Sequence, residues 1–192
     1  SKVTISSSNS MFNGNVTVNG AENKTIVAGA KVKDLTVAAA AAADKVKIDA
    51  GSATKVTVTT ATDVELKTNG DVELTVVAAT KAVINAAANS TITLAAASGA
   101  LGANGKLEIK GAGVTLKVAD ATDINGAEII GAKTIIIDSA AAADLSKVKA
   151  EEIVINTDVA LPALKLAKDA NVTFTKAQAA AVVVDGENAT IN

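Results

Sequence analysis

Carboxylates and lysines are the only side chains in this sequence that could move a proton near neutral pH. The 192-residue chain has 20 acidic residues, 18 lysines, and no His, Cys, Tyr, Trp or Arg. General acid–base chemistry would therefore rest on Asp, Glu or Lys alone. Glu151 and Glu152 are the one adjacent acid pair. On a strand, neighbouring side chains point to opposite faces, so such a pair need not converge on a substrate. Glu65, Glu73 and Glu108 stand singly between apolar neighbours. No catalytic residue is assigned, and the chain is not expected to be an enzyme. A polysaccharide-processing β-helix enzyme is the distant alternative.

Hard-cation binding is the next chemistry to weigh. Asp120, Asp123 and Asn125 place oxygen ligands around Gly126. An EF-hand loop needs Asp first, Gly sixth and Glu twelfth. Setting Gly126 sixth puts Ala121 first and Ala132 last, so the loop does not match. The glycine-rich nonapeptide of calcium β-rolls is absent too. The expectation is no cofactor and no metal-ligating residue, with calcium at this corner as the minor alternative.

Thr4, Thr17, Thr36, Thr57, Thr93, Thr115 and Thr173 each sit between two apolar residues. A flat Thr array could order water as ice does. Lys47, Glu65, Glu73, Glu108 and Lys165 occupy equivalent positions and would interrupt it. Thr is also simply a good strand residue. Asn15, Asn23, Asn89, Asn171 and Asn188 open N-x-S/T triplets, which are glycan acceptors only in a secreted protein. Nucleic acid is not an expected partner: the net charge is −2. The chain lacks Arg for bidentate phosphate contacts and aromatic platforms for bases.

These residues are carried by a repeating element. Between Lys45 and Leu94 the chain reads KVKI, KVTV, DVEL, DVEL, KAVI and STITL. Val46 and Ile48 flank Lys47, Val56 and Val58 flank Thr57, Val64 and Leu66 flank Glu65, and Val72 and Leu74 flank Glu73. Alternation of period 2 predicts short strands with one buried and one wet face. Similar starts recur from Val3 to Ile191, including Val114, Ile124, Leu145 and Val182. Every third start is about 30 residues from the last, which predicts a three-sided coil. A two-sided coil of about 20 residues is the alternative.

The turns fit this plan. Asn13-Gly14, Asn19-Gly20, Asn69-Gly70, Asn104-Gly105 and Asn125-Gly126 offer left-handed backbone. Ala38–Ala43 and Ala140–Ala143 read either as tight small-residue corners or, after Ser139, as a short helix. The stretch 95–106 reads as a lengthened corner, and the alternation loosens over 120–133. Pro162 suits a turn or a first strand position. Hydrophobic residues make up 49% but aromatics only 1%, with Phe12 and Phe174 the two. A core without large rings must be thin. No apolar run reaches the roughly 20 residues needed to cross a bilayer as a helix.

The Ala/Thr/Val/Asn-rich, Cys-free repeats, with units such as TDVELKTNGDVELTVV and AADLSKVKAEEIVIN, resemble β-solenoid regions of bacterial surface-layer proteins and related secreted surface proteins. That resemblance implies an exported protein at the cell surface that builds a coat, fibre or adhesive stalk. The expectation is thus an all-β, right-handed parallel β-helix spanning 1–192 as one domain, a segment of a longer surface protein. Its expected role is a structural extracellular scaffold; an adhesin segment is the alternative. Expected partners are copies stacked end to end, neighbouring surface subunits, and a cell-surface glycan. The strand-like termini at Val3–Ile5 and Thr190–Ile191 would leave unpaired backbone groups that favour such stacking.

Overall fold

A computed structural model of the chain describes residues 2–6, 11–21, 23–39, 45–77, 79–95, 105–139, 143–156, 164–175 and 184–192. The alternating segments form strands that pair in parallel, in the order set by the coil. One sheet contains β1 (Lys2–Ile5), β3 (Lys24–Ala28), β5 (Lys45–Asp49), β7 (Asp63–Lys67), β9 (Lys81–Asn85), β11 (Lys106–Lys110), β13 (Glu128–Ile130) and β16 (Val148–Lys149). A second contains β2 (Asn15–Val18), β4 (Asp34–Val37), β6 (Lys55–Val58), β8 (Val72–Val76) and β10 (Thr91–Leu94). It continues through β12 (Thr115–Asp120), β14 (Thr134–Ser139), β17 (Glu152–Ile155), β19 (Asn171–Phe174) and β21 (Thr190–Ile191). A short third sheet joins β15 (Ala143–Leu145), β18 (Leu164–Leu166) and β20 (Val184–Asp185).

The fold is an all-β parallel solenoid of about 8 turns with a coil spacing of about 19 residues. The parallel β-solenoid expected from the alternation is therefore present, in the two-sided form over most of its length. Stacking follows every second strand, not every third, so the preferred coil of about 30 residues is replaced by the shorter alternative. Among the described residues, three strands share a coil where β15, β16 and β17 follow one another. Ile124, expected to open a strand, lies instead in a 3-10 turn over Ala121–Ile124. Ala143–Leu145 is strand, not helix. The positions 40–43, 96–104, 140–142, Pro162 and Val182 lie outside the described residues.

The core is two sheets of inward Val, Ile and Leu facing each other. In the first sheet, Ile26 stacks on Ile48, then Leu66, Ile84 and Ile109. In the second, Leu35 stacks on Val56, then Leu74, Leu94, Val118 and Ile137. All of these are buried. Facing sheets pack about 10 Å apart, a gap that branched aliphatic side chains fill without large rings. Phe12 and Phe174 only pack against the edge of this core. Small residues close the corners, with Ala21, Ala50, Ala53, Ala61, Ala79, Ala127 and Ala132 buried. Of the Asn-Gly pairs, Gly14, Gly20 and Gly126 have positive φ, whereas Gly70 does not.

Candidate functional site

Because the inward positions are occupied by the core, any chemistry must sit on the outward positions and corners. On the first sheet the outward residues form ladders of charge. Lys45 faces Asp63 in the next coil, Lys47 faces Glu65, and Asp49 faces Lys67. Their charged atoms meet at 3.3, 2.7 and 3.0 Å. Lys106 meets Glu128 at 3.1 Å one coil on. The second sheet repeats the device where Lys55 meets Glu73 at 3.3 Å. On the third sheet, Lys165 and Asp144 lie 3.5 Å apart. The hydrogen bond and negative charge of Glu65 raise the Lys47 ammonium above its ordinary pKa. These pairs are exposed, so each adds little stability. Their effect is to specify which coil lies on which, since like charges in register repel.

The acidic residues considered for catalysis are dispersed by this arrangement. Glu65, Glu73 and Glu108 each lie beside a lysine. Glu152 points outward from β17 and accepts a 2.8 Å hydrogen bond from the Thr173 hydroxyl. Glu151 sits at the preceding corner, where its amide donates to the Lys133 carbonyl. The structure therefore brings no two of these carboxylates onto one reacting point.

The calcium corner is also divided. Asp120 Oδ1 caps the 3-10 turn, accepting from the amide and hydroxyl of Thr122 at 2.8 and 2.7 Å. Asn125 Oδ1 accepts the Asp144 amide of the next coil at 2.7 Å. Asp144 in turn accepts from the Ser146 hydroxyl and amide, which hold its carboxyl below the usual range. Asp123 is buried, and its Oδ2 has no hydrogen-bond partner. Burial pushes its carboxyl pKa up, opposed by a backbone hydrogen bond from Asp120. Among the described residues, no group of three or more acidic side chains is placed to hold a metal.

Threonines gather more than the sequence suggested. Thr17, Thr36, Thr57 and Thr75 stack in one column of the second sheet. Lys47 and Glu65 do not interrupt it, because they lie on the other sheet. The neighbouring column runs through Asn15, Asp34, Lys55 and Glu73, and a second short row, Thr91 on Thr115 on Thr134, lies further along the sheet, so the threonines form separate rows and not a broad array. The N-x-T triplets have a backbone cause. Asn23, Asn89 and Asn188 have φ of 53, 59 and 56°, and Thr25, Thr91 and Thr190 follow them in strands. Asn tolerates the left-handed corner and Thr favours the outward strand position.

A shallow basin of about 320 Å³ crosses the outer face of the first sheet. Lys45, Lys47, Lys81 and Lys110 line it together with Val83, Asp63, Glu65 and Asn85. The sequence does not mark this region, because its distinguishing property is which coil stacks on which. No family model, curated protein or solved structure matches the chain.

Proposed function

We propose that this chain is a non-catalytic structural segment, a stiff scaffold exposed at a cell surface. The observation that carries this reading is the continuous apolar column of stacked coils, buried through most of its length. About 8 turns at roughly 4.8 Å each make a stack about 40 Å tall. Each coil rests on its neighbours by backbone hydrogen bonds and apolar contact, so bending would break both. No bound cofactor is needed for this role. Among the described residues, no helix is long and apolar enough to cross a membrane.

The two ends of the stack support association. The strands β1 and β2 close one end and β20 and β21 the other, each with one open backbone edge. Ile191 is 47% exposed at one end, and Met11 is 87% exposed near the other. Such edges accept a further parallel coil, from a longer chain or a second copy. The extracellular setting rests on the resemblance to surface-layer solenoids. Small-angle scattering over a concentration series tests the scaffold. A rod-like profile that lengthens with concentration is expected. A compact, concentration-independent particle would refute both stiffness by stacking and end-to-end association.

A further inference from the structure

The charge ladders have one exception. Wherever else the described register stacks two charged residues, their signs are opposite: Lys45 on Asp63, Lys47 on Glu65, Asp49 on Lys67, Asp63 on Lys81, Lys106 on Glu128, Asp34 on Lys55, Lys55 on Glu73, and Asp144 on Lys165. Between β9 and β11, Lys81 lies directly on Lys106. Like charges in register are destabilising. Lys106 has Glu128 on its far side at 3.1 Å, while the Lys81 ammonium has no carboxylate within ion-pair distance among the described residues. A break of a local rule that is obeyed everywhere around it marks a place where something other than folding is served.

We propose that Lys81 and Lys106 bind the carboxylate of an acidic polysaccharide lying across the first sheet. Adjacent strands are about 4.8 Å apart, so the oxygens of one carboxylate can bridge both ammonium groups. Val83, half-buried in the basin lining, offers an apolar seat for the face of a sugar ring. It stands between Glu65 and Glu108 in its column. Asp63 and Glu65 accept hydrogen bonds from sugar hydroxyls, and Asn85 can donate or accept. Lys110, four residues along β11 and paired with Glu108 at 3.5 Å, offers a third cation about 13 Å from Lys106.

The same carboxylates argue against nucleic acid. A duplex carries a negative charge every ~1.7 Å, and Asp63, Glu65 and Glu108 would repel so dense a polyanion. A polymer whose charges are sparse and whose remaining groups are hydroxyls suits a mixed surface. Binding by charge and hydroxyl contacts also fits a face without aromatic platforms.

The test uses oligogalacturonate as probe, with amide chemical shifts and calorimetry at low salt. Shifts are expected to centre on 81–85 and 106–110. Lys81→Gln and Lys106→Gln should each weaken binding about fivefold. Lys55→Gln, on the opposite sheet, should leave it unchanged. Lys81→Gln removes the like-charge contact without breaking an ion pair, so its melting temperature should stay level or rise while affinity falls; Lys106→Gln also gives up the pair with Glu128. Absence of binding, equal weakening by Lys55→Gln, or tighter binding of a single-stranded oligodeoxynucleotide of matched charge would each overturn the proposal.

Discussion

Truncating Leu74 tests the stacked core most directly. Leu74 is fully buried in β8, with Val56 below it and Leu94 above it in the same column. Leu74→Ala removes three carbons, worth roughly 2.4 kcal/mol of transfer free energy. It also leaves a void between two strands held at a fixed spacing by ladder hydrogen bonds, so little collapse is available. The total loss should be about 3–5 kcal/mol. Ile191→Ala makes the same kind of truncation on β21, where the side chain is 47% exposed. That change should cost about 1 kcal/mol. Urea titration followed by circular dichroism measures both. Because neighbouring coils support each other, loss at the centre should also broaden the transition as the two halves uncouple. Equal costs for the two variants would refute the claim that one continuous column holds the stack together.

Three further outcomes follow from the same geometry. Asp123→Asn should raise the melting temperature near pH 7 and have little effect near pH 3. The folded pKa of Asp123 is raised by burial, so its stabilising contribution is full below the unfolded value and lost as pH rises through the folded one. An equal shift at both pH values would count against burial as the cause. Gly131→Ala should cost at least about 2 kcal/mol, because φ is +89° and the added carbon meets the Ile109 carbonyl. Gly70→Ala, with open space around it, should fall within about 0.5 kcal/mol in a parallel melt. Val83→Lys should complete an alternating row from Glu65 to Glu108 and add roughly 0.2–0.5 kcal/mol. High salt should erase that gain; persistence in high salt would mean that the ladder is not electrostatic.

Strand identity was legible because Val46 and Ile48, or Val64 and Leu66, alternate with polar residues and go straight into the core. The number of strands per coil was not, because inward Val, Ile and Leu are interchangeable and any strand could rest on any other. A signal did exist in the outward residues. KVKID at 45–49 and DVELK at 63–67 are complementary in charge position by position, which points to the shorter coil. The corner at 120–126 escaped the alternation because Ile124 is buried by a turn that Asp120 caps. The paired lysines at 81 and 106 look ordinary in the sequence. They become distinctive only once β9 and β11 are known to touch.

The charge ladder also sets a parity rule on length. Duplicating the single coil that begins with KVKID would lay Lys on Lys and Asp on Asp. Duplicating it together with the DVELK coil would preserve every contact of opposite sign. Such a rod can be extended two coils at a time with its register intact, whereas insertion of one introduces a phase error. The Lys81–Lys106 step is such a phase error, held in place by the core beneath it.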